Sequence, residues 1–124
     1  MVWQFANDKA VYLQIAQHIK HAILSGAYPP GSQIPPVRQL AMDAAVNPNT
    51  VQRAFIQLES EGLLLSRGTL GRFVTTDTVT IEQCREAMTR QYVTQFLRDI
   101  QNLSVTAEQA INIIREVSHE HTGM

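Results

Sequence analysis

Two prolines constrain this chain more than any other residues, because Pro36 and Pro48 each stand at the head of a short run with helical apolar spacing. A proline lacks the N–H that a helix interior needs but fits the first turn, where that N–H has no partner. Pro36 therefore opens a helix to about Ala44 with Val37, Leu40 and Ala41 inward, and Asn47, a strong N-cap, followed by Pro48 opens another that reaches Glu61 before Gly62. Two helices joined by so few residues form a helix-turn-helix pair.

The flanking segments complete a small domain. From Lys9 to Ser25, Tyr12, Ile15, Ile19 and Ile23 recur at steps of three and four, and Gly26 is a C-terminal stop. The connector YPPGSQIPP is stiffened by four prolines. After the third helix, LLLSR and GRFVT are strand-forming runs separated by Gly68, Thr69 and Leu70 before Gly71, which predicts a hairpin whose turn uses glycine where φ is positive. The expected fold is mainly α with a small β-hairpin: a winged helix-turn-helix over residues 1–76, then a two-helix C-terminal dimerisation segment over residues 77–124.

In that second part Ile81, Cys84, Ala87, Met88, Tyr92, Phe96, Ile100 and Leu103 keep helical spacing, widened by Val93 and Leu97. Thr80 with Gln83 and Thr106 with Gln109 each read as a capping box, the second with Val105 and Ala110 as its staple and Ile111, Ile114 and Val117 following. A helix of about 23 residues spans roughly 34 Å, more apolar surface than one short partner helix covers. Met88, Tyr92, Phe96, Ile100, Ile111 and Ile114 are therefore the candidate dimer interface, and a cut after Thr78 is expected to leave a folded monomer.

Composition narrows function mainly by exclusion. The 124 residues carry a net charge of −1, with 44% apolar and 17% charged residues, as in an ordinary folded domain. The charge divides unevenly: residues 1–76 hold six basic and four acidic side chains, whereas the remainder holds four basic and seven acidic, so the second part is the less suited to face a polyanion. No apolar run approaches a membrane span, and the opening MVWQFANDK lacks a basic flank followed by an apolar stretch, so a cytoplasmic protein with no membrane partner is expected. Cys84 is expected in the core. His18 and His21, and His119 and His121, lack a third ligand at recognisable spacing, so they are read as solvated and no metal or cofactor is expected. Asp77, Glu82, Glu86 and Asp99 read as the wet face of the long helix. No acid/base pair, activated nucleophile or phosphate loop is present to suggest an enzyme.

The third helix carries the chemistry. At 100° per residue Val51, Ala54, Phe55 and Leu58 fall on one side, while Asn49, Gln52, Arg53 and Ile56 project from the other. Asn and Gln can bond adenine edges, Arg can bond guanine or phosphate, and Thr50 can donate to phosphate. On the second helix of a helix-turn-helix, whose N-terminus favours phosphate, this set points to double-stranded DNA.

The segments YLQIAQHIKHAILSG, PPGSQIPPVRQLA, VNPNTVQRAFIQLESEGLL and RGTLGRFV, in that order from Tyr12 to Val74, resemble the GntR family of bacterial transcription regulators, in particular its short YtrA-type subfamily. The resemblance implies a repressor that binds palindromic operator DNA as a homodimer through the C-terminal helices. It also implies that Arg38, Asn47, Asn49, Thr50, Gln52, Arg67 and Gly68 occupy DNA-contacting positions, to which the outward angle adds Arg53. A small-molecule effector is left open, and nothing in the sequence names one. The chain departs from the family in carrying Pro36 where Ser is usual and Ala44–Ala45 where Leu-Gly is usual, so either the turn is reshaped or Ala45 adopts a left-handed conformation at about 1 kcal/mol. The rivals are a winged-helix module that binds protein and an enzyme subunit completed at an interface.

Overall fold

In the computed structural model, which describes residues 3–121, the winged domain forms from helices α1 (Val11–Ser25), α2 (Val37–Ala44) and α3 (Pro48–Ser60) and strands β1 (Leu64–Ser66) and β2 (Arg72–Val74). Two further helices follow, α4 (Thr78–Gln101) and α5 (Ala107–His121). The chain divides into two compact units, Met1–Gln83 and Cys84–Met124, so the division falls inside α4.

The core of the first unit is the predicted apolar set. Ile15, Ile19 and Ile23 of α1, Leu40 and Ala41 of α2, and Val51, Ala54, Phe55 and Leu58 of α3 are all buried. Tyr12, placed on the same face by spacing, is only half-buried. α1 ends where Gly26 turns left-handed at φ 87°, and Asn47 caps α3 by accepting the Asn49 N–H at 2.8 Å. Pro36 serves as the N-cap of α2, one position earlier than the first-turn site expected from its missing N–H.

Between α2 and α3 the chain takes the strained alternative. Ala45 stands at φ 55°, ψ 48°, and its N–H closes α2 onto the carbonyls of Ala41 and Met42. Its side chain is exposed, so nothing in the core compensates for the left-handed backbone. Ala45→Gly is therefore expected to stabilise the domain by about 0.5–1 kcal/mol, part of the gain being offset by the freer unfolded chain, as read from denaturant midpoints at constant slope.

The hairpin pairs antiparallel with Leu64 opposite Val74 and Ser66 opposite Arg72. Its turn is a 3-10 step over Gly68–Leu70, with positive φ at both Gly68 and Gly71, as the glycine spacing predicts. The proline-rich connector does more than link helices: Gln33 bridges Phe73, and the Ile34 N–H donates to the Arg72 carbonyl at 3.0 Å, adding a short third edge to the wing. The Gln33 side-chain amide also donates to the Leu70 carbonyl in the turn.

α4 starts differently from the expected capping box. Asp77 is the cap: its carboxylate accepts the Val79 and Thr80 N–H groups at 3.0 and 3.3 Å and the Thr80 hydroxyl at 2.9 Å. These bonds, led by that from the Thr80 side chain, hold the Asp77 carboxyl below the usual aspartate range. Asp outcompetes Thr here because its two oxygens serve several donors at once. Asp77 is thus a helix cap and not simply wet-face charge. Ile81 lies in the first unit and is buried, so a cut after Thr78 would remove a core side chain. The second capping box forms as read, with the Thr106 N–H donating to Gln109 Oε1 at 2.9 Å and the Gln109 N–H to Thr106 Oγ1 at 3.1 Å.

In the second unit Met88 is buried in the single chain and Ile100 is half-buried. Tyr92, Phe96, Ile111 and Ile114 are exposed. Cys84 is half-buried instead of fully enclosed. His18 is half-buried and packs at a tilt against Trp3 with ring centres 4.8 Å apart, which corrects its reading as solvated.

Candidate nucleic-acid interface

The buried face of α3 fixes what its other residues can do. With Val51, Ala54, Phe55 and Leu58 inward, Asn49, Arg53 and Ile56 are exposed on the opposite side. Asn47 spends its side-chain oxygen on the cap, so its contribution to binding would come from its amide –NH2. Thr50 is half-buried at the start of the helix.

Arg53 is exposed but not loose. Its guanidinium carbon lies 4.0 Å from the centre of the Tyr12 ring, a cation–π contact between α3 and α1. The periodicity of α1 assigns Tyr12 to the core, whereas the fold uses it as a platform that restricts Arg53 before any ligand arrives. Side-chain freedom lost in folding is not lost again on binding.

Arg38 lies in the first turn of α2, exposed and with no ion pair among the described residues, and it lines a shallow groove with Met42, Val46 and Pro48 beside the start of α3. In the wing, Arg67 is exposed and its guanidinium carbon lies 4.7 Å from the Phe73 ring centre. Gly68 follows at φ 57°, with open space where a Cβ would stand, so backbone conformation and not crowding favours glycine there.

Gln52 departs from the outward set. It is half-buried, and its Oε1 accepts from Arg72 Nη1 at 3.3 Å. Arg72 also donates to Glu59 Oε1 at 3.2 Å and lies 5.3 Å from the centre of the Phe55 ring. In the sequence Arg72 shows only as one of the basic side chains of residues 1–76. A hairpin placing Arg72 next to an i, i+3, i+7 face of α3 could be found only once the wing's packing was known. The arginine ties β2 to α3 and thereby brings the wing beside the residues of the helix.

A helix-turn-helix with an exposed second helix, an arginine in the preceding helix and a basic two-stranded wing defines a winged-helix DNA-binding domain. Residues 11–74 match the family of bacterial regulatory proteins named gntR. The chain is 31% identical over 118 residues to the HTH-type transcriptional repressor YtrA of Bacillus subtilis, covering 94% of this chain and 91% of that one. A GntR family transcriptional regulator from Listeria monocytogenes superposes with a TM-score of 0.83 at 30% identity, over 90% of this chain and 98% of that chain. The DNA-binding domain of AraR in complex with operator ORX1 superposes with a TM-score of 0.55 at 28% identity, over 60% of this chain and 96% of that chain. The chain belongs to the GntR family and is a transcriptional regulator with a DNA-binding domain. Among the described residues no helix is long and apolar enough to cross a membrane.

Proposed function

We propose that the protein is a cytoplasmic homodimeric repressor that binds a palindromic operator, with α3 in the major groove and Arg38 and Arg67 on the flanking backbone. The observation that carries this reading is the prearranged basic surface around α3, in which Arg53 is braced on Tyr12 and the wing is fastened to the helix through Arg72. Support for the dimer comes from the second unit. Tyr92, Val93 and Phe96 on α4, and Ile111, Ile114 and Val117 on α5, are each between 39% and 54% exposed, and they recur at steps of one, three or four along their helices. An apolar surface of that extent on a single chain favours association. Repression rests on the likeness to YtrA, which is named a repressor.

Gel shifts on the DNA upstream of the protein's own gene, against random duplex of equal length, test the reading. Gln52→Ala and Arg53→Ala are expected to weaken operator binding by about 1–3 kcal/mol each and random binding by much less. Arg38→Ala and Arg67→Ala are expected to weaken both and to reduce the slope of log affinity against log salt by about one unit. Equal losses on operator and random DNA for Gln52 and Arg53 would remove their readout role, and no preference for any upstream DNA would favour a protein-binding module.

A further inference from the structure

We propose that Arg72 sets the base preference of Gln52: by holding the Gln52 carbonyl oxygen it turns the amide –NH2 toward DNA, so the protein reads guanine at that base pair. The inference rests on α3 lying in the major groove, as proposed above, and it replaces the adenine pairing expected of an unrestrained glutamine.

Arginine has donors only, so the Gln52 atom facing Arg72 Nη1 at 3.3 Å must be the carbonyl oxygen. The guanidinium does not follow Gln52 freely, because it is held at further points. Nη2 donates to Glu59 at 3.2 Å, and the planar group lies over Phe55. Gln52, Phe55 and Glu59 occupy one face of α3 at i, i+3 and i+7, and the pairing of Ser66 with Arg72 fixes the arginine in β2. The Arg72 side chain is 19% exposed, and its Nε is buried without a hydrogen-bond partner, so protein neighbours and not water set its position.

The consequence follows from the pattern of base edges. Adenine shows an acceptor at N7 beside a donor at N6, and a glutamine satisfies both only by presenting oxygen and nitrogen together. Guanine shows acceptors at both N7 and O6. An amide that presents its –NH2 to the base matches guanine and sets donor against donor at adenine N6. Recovering the adenine pairing would require adenine N6 to share the oxygen with Arg72 through its second lone pair, or the Arg72 bond to break and leave a half-buried guanidinium N–H unpaired.

The test is selection of bound sequences from randomised duplex DNA by the full chain as wild type, Gln52→Ala and Arg72→Met. The base pair whose preference vanishes in Gln52→Ala is the one Gln52 reads. There the wild type is expected to prefer guanine to adenine by about tenfold or more. Arg72→Met keeps an apolar side chain over Phe55 but has no donor, and should narrow that preference to within about threefold while other positions keep theirs. A merely structural Arg72 would lower affinity for all sequences alike, which would overturn the proposal. So would a wild-type preference for adenine, or a guanine preference unchanged in Arg72→Met. If Arg72→Met does not fold, the wild type is titrated with operators carrying inosine or adenine at that position. Inosine keeps O6 and N7 and should bind within about twofold of guanine, whereas adenine bound equally well would defeat the proposal. A wild type that selects no sequence would remove the DNA reading itself, whereas a selected sequence with no position altered by Gln52→Ala would remove only this inference.

Discussion

A chain cut after Gln83 is expected to remain folded and yet to lose about two to four orders of magnitude in affinity for a palindromic operator. The cut retains Ile81, which is buried within the first unit, and it leaves the α1, α2 and α3 core and the wing intact. What it removes is the exposed apolar face of Tyr92, Phe96, Ile111 and Ile114. In the proposed dimer one bound half-site holds the second winged unit near its own half-site at an effective concentration in the millimolar range, so a weak second contact multiplies the first. Half-sites one DNA turn apart, about 34 Å, or a multiple of that would then match two recognition helices related by a two-fold axis. Circular dichroism should show the truncated protein helical with a cooperative melt, and anisotropy titrations should show it binding an isolated half-site as well as the full chain does. Phe96→Glu in the full chain should move affinity in the same direction by placing a charge in the paired face. A truncated chain that binds the palindrome as tightly as the whole protein, or a full chain that scatters light as a monomer at micromolar concentration, would remove the dimer from this account.

The parts of the fold legible in the sequence are those set by short-range geometry. Asn47 before Pro48, Gly26 after α1 and the Thr106–Gln109 box each act within about one helical turn, so residue order alone displays them. The inward set of α3 is legible for the same reason, since 3.6-residue periodicity separates Val51, Ala54, Phe55 and Leu58 from the rest. The site is less legible because its geometry depends on contacts between elements. Angle counting places Arg53 outward but cannot show Tyr12 beneath it, and it treats Gln52 as equivalent to Asn49 although Arg72 bonds its oxygen. The start of α4 illustrates a different limit. Asp77 and Thr80 are both acceptable N-caps, and the competition between them is settled by three donors converging on one carboxylate. Gln33 was hidden because a single-residue bridge has no alternation to detect.

Phe55→Ala is expected to cause the largest loss of stability of any single truncation to alanine in the winged unit, about 3–5 kcal/mol. The ring is 1% exposed and is among the largest fully buried side chains, with Ile15, Ile19 and Leu58. Truncation would forfeit the transfer energy of the ring and leave a void that α1 and α3 cannot both close, since each is also held by other buried residues. Against a total of about 5–15 kcal/mol for a domain, that loss is a large fraction. For a unit of this size each kcal/mol lowers the melting midpoint by about 4–8 °C, so a fall of roughly 12–40 °C is expected in far-UV circular dichroism. The same substitution removes the surface beneath the Arg72 guanidinium, which lies 5.3 Å from the ring centre. Phe55→Ala protein kept folded in the cold should therefore also discriminate less at the base pair read by Gln52. Phe55→Leu, which refills most of the volume, should recover more than half of the midpoint without restoring the planar platform, and so separates packing from arginine positioning. A shift below about 5 °C for Phe55→Ala would mean that the aromatic ring is not what fastens the DNA-facing helix to the domain.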